Sequence, residues 1–235
     1  MDELLHPLPG VTVAVGPRLV HVHSEEPLAV LSSAVVGGGE GSARDILNVH
    51  VDDKYDGERP EDDLVAVAAD LGVEGGFVGL MTAAYTQFAR CAVETHGGLT
   101  VAAVVSVGLS NTSSAGVTPP FCLEEDDSAP PPGTINVLLL VDGGLTPAAM
   151  VNAVITVTEA KTMTLAAWDV KTTEGDDASG TSTDTVVVAC TGRGEDLRYA
   201  GPATTVGWLA ARAVRAAMTR ICEEKIARDG GRTGW

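Results

Sequence analysis

Positive charge is scarce in this chain. Fifteen Lys and Arg stand against 32 Asp and Glu in 235 residues, for a formal net charge of −17 at pH 7. Phosphate binding needs basic surface, so nucleic acid is not expected as a partner. An anionic membrane surface is excluded for the same reason. Lysine occurs only at 54, 161, 171 and 225, which leaves most of the positive charge to arginine. Cysteine is sparse too. Cys91, Cys122, Cys190 and Cys222 are widely scattered with no Cys-x-x-Cys, so neither a zinc knuckle nor a redox pair is expected, and the thiols should be reduced. No apolar run is long enough to span a bilayer. Met1-Asp-Glu-Leu-Leu-His lacks the basic region and long apolar stretch of a secretory signal, so a cytoplasmic location is expected. There is no fixed-period repeat and no clear boundary. One domain over residues 1–235 is therefore expected, long enough to bury a substantial core.

What is present reads as strands first and helices later. Val11–Val15, Leu19–His23 and Leu28–Ser32 are short β-prone runs separated by Gly16-Pro17 and Glu25-Glu-Pro27, a pattern that predicts a meander. Ile46 to Asp52 alternates strictly. The acidic stretch after Pro60 carries Leu64, Val67 and Leu71 on one helical stripe. The region from Phe77 to Val93 is ambiguous. Its second half reads as a strand that pairs, through Glu94-Thr-His-Gly-Gly98, with Leu99–Leu109. Ser113 to Pro132, with Glu124–Asp127 and Pro130–Pro132, reads as a solvated loop. A strand over 134–142 leads to a helix over 146–168, with Thr146 as N-cap and Pro147 at its first position. A strand over 184–190 and a helix over 205–227 follow. The expected class is α+β, a mainly antiparallel or mixed sheet flanked by two long helices.

Several polar groups sit where apolar elements should have none. Asn152, Thr156 and Glu159 fall at i, i+4 and i+7 of the first long helix, which places them on one side of it. A buried carboxylate must be paired or must have a job, and an ion pair with an arginine elsewhere is the structural alternative for Glu159. Lys161, two residues on, points elsewhere, either outward or to another element. Asn48, His50 and Asp52 alternate with Leu47, Val49 and Val51, so one strand face is wholly polar. It is either a row of hydrogen-bonding groups lining a pocket or a solvated sheet face. Gly37-Gly38-Gly39 allows close approach of a ligand or simply a turn; it has neither the P-loop nor the dinucleotide pattern. Gly108-Leu-Ser-Asn111 closes an apolar strand. Ser179-Gly-Thr-Ser-Thr-Asp184 is dense in hydroxyls at the mouth of another strand. There Asp184 can orient water, act as base, activate a neighbouring threonine such as Thr183, or only organise the turn. His21 and His23 share a strand face, but no histidine–carboxylate set has a recognised ligand spacing, so no metal site is expected.

Taken in order, these pieces resemble the adenosylcobinamide amidohydrolase family. The likeness is carried by Ser32–Gly39, Asn48-x-His50, Val78-Gly-Leu-Met-Thr82, Gly108–Asn111, Gly133-Thr134-Ile-Asn136, Thr156-x-Thr-Glu159-Ala-Lys161 and Gly180–Asp184, over roughly residues 10–220. The chain departs from the pattern around Tyr199–Thr204 and at Trp208, where a His and a Glu are expected. The resemblance implies hydrolysis of the amide joining a corrin propionyl arm to aminopropanol in adenosylcobinamide. The product would be adenosylcobyric acid for cobalamin salvage. It implies a corrinoid partner that brings its own cobalt, and no motif demands a further cofactor. A homo-oligomer is compatible with the sequence. Amide hydrolysis needs a base, oxyanion donors and a proton for the amine. Asp184, Glu159, His50 and Thr183 are the catalytic candidates. Gly37, Gly38, Gly39, Asn48, Thr82, Asn111, Thr134, Asn136, Asn152, Thr156 and Lys161 are the candidates for substrate contact. A non-catalytic corrinoid-binding module would present the same pocket without a competent base. A self-processing threonine hydrolase would be cut before a threonine and leave two chains.

Overall fold

The computed structural model describes residues 3–52, 55, 58–120 and 133–228. In chain order the elements are β1 (Glu3–Leu8), β2 (Val11–Val15), β3 (Leu19–Ser32), β4 (Gly39–His50), α1 (Pro60–Asp70), β5 (Phe77–Thr82), β6 (Arg90–His96), β7 (Leu99–Val107), β8 (Thr112–Ser113), β9 (Ile135–Val141), β10 (Gly144–Leu145), α2 (Pro147–Ala167), β11 (Gly180–Thr181), β12 (Thr185–Cys190), β13 (Asp196–Leu197) and α3 (Thr205–Arg228). The acidic and proline-rich stretch at 124–132 lies outside the described residues. The class is α+β with a mixed sheet.

One strand organises the sheet. β3 pairs β4 along one edge; along the other it pairs first β2 and then β12. The path runs β1-β2-β3-β12-β9-β7-β6, with β4 and β5 carried on the free edge of β3. The expected break at Glu25-Glu-Pro27 is not a turn. It is an irregularity within β3: between the His23–Asp45 and Leu28–Ala43 pairs, β3 advances five residues while β4 advances two. A proline lacks the N–H that a ladder uses, and a bulge is where a strand tolerates it.

The two ends of this bent sheet pack face to face. Ile135, Val137, Leu139 and Val141 of β9 face α2 and α3, together with Val188 and Cys190. Leu138 and Leu140, with Ala102, Val104 and Val187, face Val13, Val22, Val30, Ile46 and Leu80 of the other half. Leu47 and Val49 of β4 turn outward against Leu64 and Ala68 of α1. The layers are therefore helix pair, sheet, sheet, helix. A strand buried on both faces reads as an unbroken apolar run, which is how 135–141 reads apart from Asn136.

The helix starts follow local chemistry. Thr146 Oγ1 accepts the Ala149 amide and Pro147 takes the first position, where its missing N–H costs nothing. The hairpin of β6 and β7 turns at Gly97 and Gly98, both with positive φ (59° and 82°). The earlier half of the ambiguous region forms β5, parallel to β4.

Candidate functional site

The alternation that put Leu138 and Leu140 between the sheets also puts Asn136 there. Asn48 on β4 faces the same layer, because its neighbours Leu47 and Val49 face α1. Asn136 Nδ2 donates to Asn48 Oδ1 at 2.8 Å and to the Met81 carbonyl at 3.0 Å. Asn48 Nδ2 in turn donates to Ser106 Oγ at 2.9 Å. Thr134 Oγ1 lies 3.3 Å from Asn136 Oδ1 and donates to the Thr183 carbonyl at 2.7 Å. All four side chains are buried. For Asn48 this decides between the two readings of its strand face: it belongs to a buried polar network, not to a solvated sheet. Asp52 is exposed, where that strand has ended.

Asp184 sits on the other side of the same sheet edge, toward α2. Its Oδ1 accepts from the Ile135 amide at 3.0 Å and from Thr181 Oγ1, and its Oδ2 forms an ion pair with Lys161. The Thr181 amide lies 3.2 Å from both oxygens. A carboxylate offers about four acceptor positions, and here four donors occupy them. Lys161, with a side chain 9% exposed, does not snorkel outward but meets this carboxylate, whose side chain is 14% exposed. Gly180 makes the geometry possible, since a Cβ there would collide with both Asp184 Oδ2 and Lys161 Nζ.

The hydroxyl that touches Asp184 is Thr181, not Thr183. Thr183 Oγ1 donates 2.8 Å to the Gly133 carbonyl, so it has no carboxylate partner. Asn111 Nδ2 donates 2.8 Å to Ser182 Oγ, while Asn111 Oδ1 is buried with no hydrogen-bond partner among the described residues. A Cβ at Gly133 would strike that same oxygen and Ser110 Oγ. Around the ends of β7, β9 and β12 these groups form one connected polar mouth. It contains Asn48, Asn111, Thr134, Asn136, Lys161, Thr181, Thr183 and Asp184.

His50 and Thr82 approach from β4 and β5. The Ala84 amide donates to Thr82 Oγ1 at 3.0 Å, and His50 Nδ1 lies 3.1 Å from the Ala84 carbonyl. A carbonyl only accepts, so Nδ1 carries a proton in this contact. The ring packs against Tyr85 at 5.3 Å between centroids. His50 lines a cleft of about 410 Å³ with Leu19, Val49, Tyr55 and Met81, and the Met81 carbonyl joins this cleft to the Asn136 network.

Two groups of candidates lie elsewhere. Glu159 is exposed on α2 and Asn152 is half-buried, whereas Thr156 is buried and donates 2.9 Å to the Ala200 carbonyl. The buried carboxylate expected at 159 is therefore absent. Three residues turn a helix by about 300°, so Glu159 is rotated roughly 60° from Thr156 toward solvent. The glycine triplet packs on main chain: a Cβ at Gly37 would lie 2.6 Å from the Phe77 carbonyl and one at Gly38 2.6 Å from the Ala34 carbonyl. Gly37 and Gly39 hold positive φ (69° and 89°). Close packing accounts for Gly37 and Gly38, and positive φ alone for Gly39, where a Cβ would meet nothing within 4 Å. Thr181, Ser106 and the Met81 carbonyl are the site groups that sequence reasoning passed over. Ser106 had a usable signal, since it is the buried polar residue on the face of β7 that carries Ala102 and Val104.

A family model described as adenosylcobinamide amidohydrolase matches residues 8–229. The adenosylcobinamide amidohydrolase of Halobacterium salinarum is 35% identical over 144 residues, covering 61% of this chain and 52% of that protein. The match thus spans about half the length of that relative. The adenosylcobinamide amidohydrolase of Methanosarcina mazei is 28% identical over 184 residues, covering 74% of this chain and 80% of that protein. Among solved structures, a Burkholderia sp. beta-aminopeptidase aligns over 89% of this chain and 79% of its own, with a TM-score of 0.46 and 14% identity. At that distance the likeness bears on neither activity nor residue roles.

Proposed function

The chain belongs to the adenosylcobinamide amidohydrolase family, and from that membership we propose that it hydrolyses the aminopropanol amide of adenosylcobinamide. Water adds to the amide carbonyl, the C–N bond breaks, and the amine leaves with a proton. The products are adenosylcobyric acid and 1-amino-2-propanol, which returns the corrinoid to cobalamin synthesis in the cytoplasm. The partner is a small corrinoid that carries its own cobalt.

The observation that carries this reading is Asn111. Among the described residues its Oδ1 is the one buried side-chain polar atom without a hydrogen-bond partner. An orphaned buried acceptor costs free energy until an N–H reaches it, and a corrin is fringed with amide N–H groups. Asp184 serves as the general base. Four donors fill its acceptor positions, so one of them must give way for it to accept a proton. Thr181 Oγ1–H is the donor that can do so, passing on the proton of the attacking water. Lys161 orients the carboxylate, the arrangement expected of a base held by a third group. Asn111 contacts the amide, Asn136 stays behind it in the buried network with Asn48 and the Met81 carbonyl, and His50 with Tyr85 lines the side on which the corrin lies.

Incubation of the purified protein with adenosylcobinamide, followed by mass spectrometry, tests this directly. The expected result is accumulation of adenosylcobyric acid. Tight binding of adenosylcobinamide with no product would instead identify a corrinoid-binding module.

A further inference from the structure

We propose that His21, His23 and Asp45 form a binding site for one zinc-class divalent cation, on the α1 side of the sheet and separate from the polar mouth. The three residues come from two paired strands. His21 and His23 are two apart on β3, so they share a face, and His23 stands directly across from Asp45 in the register. That face is the outer one: Val20 and Val22 point between the sheets, as does Ile46 next to Asp45. Sequence spacing could not show the set, because its carboxylate lies on the neighbouring strand.

The geometry is that of a three-ligand facet. His21 Nε2 and His23 Nδ1 each lie 2.8 Å from Asp45 Oδ1, and one ligand atom from each residue falls within 4.8 Å of the others. The rings meet edge to face with centroids 6.2 Å apart, and both nitrogens face the same Asp45 oxygen. Asp45 has a side chain only 9% exposed. A carboxylate this buried requires positive charge or donors around it; the two imidazoles supply donors to Oδ1, and a cation bound between the three groups would replace those hydrogen bonds. Arg44, the neighbouring cation, faces Glu26 at 3.6 Å. The facet opens onto a cleft of about 440 Å³ lined also by Leu71, Gly72, Val73 and Glu74. Solvent or Glu74 can complete the coordination from that side. Two imidazoles and one carboxylate suit zinc and its first-row neighbours better than calcium or magnesium.

The position gives the ion a structural task. His23 and Asp45 are the last residues in register before β3 bulges past β4. An ion there ties the two strands at the point where the ladder is interrupted. β4 carries Asn48 and His50 a few residues further on, so the tie also steadies the strand that supplies them.

The test is titration of the metal-free full chain with Co2+ as a spectroscopic probe and Zn2+ as competitor, alongside the His23→Gln variant. His23 is half-exposed, so its replacement leaves the core intact. The expected result is one equivalent of Co2+ giving visible ligand-field bands, displaced by Zn2+. A rise in Tm on adding Zn2+ should accompany it. In His23→Gln affinity should fall by more than ~10²-fold, beyond the cost of losing an outer-shell partner. Failure of the wild-type chain to bind one equivalent would overturn the proposal. Undiminished binding by His23→Gln would overturn it equally, since other residues would then hold the ion.

Discussion

At the scale of single residues, what matters is which hydroxyl meets which carboxylate. Thr181 Oγ1 donates to Asp184 whereas Thr183 Oγ1 donates to a main-chain carbonyl. Thr181→Val should therefore lower kcat by roughly 10²-fold, as expected when a proton path to a general base is cut. Thr183→Val should cost far less. Steady-state turnover of the two variants checks the order, and a larger loss in Thr183→Val would reverse the assignment. Gly180 gives a second residue-scale prediction. A methyl group there overlaps both members of the Lys161–Asp184 pair. Gly180→Ala should destabilise the fold by about 1–3 kcal/mol, the usual cost of overpacking, read as a lower midpoint in urea. An unchanged midpoint would mean that the pair can move aside freely.

Elements were legible in proportion to how local their causes are. α2 announced itself through Thr146 and Pro147, and α3 through its stripe of Val206, Leu209, Ala213, Ala217 and Ile221, because caps and stripes depend on neighbours in sequence. β3 was misread as two strands because Glu25-Glu-Pro27 looks like punctuation. Only the pairing with β4 shows it to be a bulge. The site was legible in part. Asn136 and Asp184 stand out as polar residues in or beside apolar strands. Thr181 does not, because its significance is a contact made after folding. Glu159 misled for the opposite reason: three polar residues on one side of a helix need not share one degree of burial.

One inter-element clamp has a pH signature. Arg90 on β6 forms an ion pair with Glu224 on α3, and Arg220 adds a second contact at 3.1 Å. The hydrogen bond from Arg90 is the main reason that the Glu224 carboxyl titrates below its ordinary value. Its folded pKa is depressed, so its contribution is complete above the unfolded value near ~4.3. That contribution is lost as pH falls through the lower folded value. Glu224→Gln should lower stability at neutral pH and flatten the acid limb of the stability profile. Urea titrations between neutral and acid pH check this; parallel profiles for wild type and variant would contradict it.

For the molecule as a whole, the thiols report on global packing. Burial pushes Cys190 and Cys222 up to about 12 and Cys91 up to about 11. Alkylation requires the thiolate. At pH 8, Cys190 and Cys222 should therefore resist iodoacetamide in the native chain and react only on unfolding. Peptide mapping after timed labelling checks this, and fast native labelling of either would mean that the layer between helices and sheet opens easily. Among the described residues no helix is long and apolar enough to cross a membrane. The layered fold gathers Ser106, Thr134, Asn136 and Asp184 at the ends of β7, β9 and β12. There the amide network, the Asp184 carboxylate and the unpartnered Asn111 oxygen come together.

The most direct test of amide hydrolysis at this mouth compares Asp184→Asn with wild type on adenosylcobinamide, measuring turnover and corrinoid affinity side by side. Asparagine keeps the size of the side chain and removes the base. The account predicts that turnover falls by at least ~10²-fold while affinity changes little, the pattern of a lost transition-state role. Glu159→Gln, on the exposed face of α2, should leave both near normal. Near-normal turnover in Asp184→Asn would contradict the account and remove Asp184 from the chemistry.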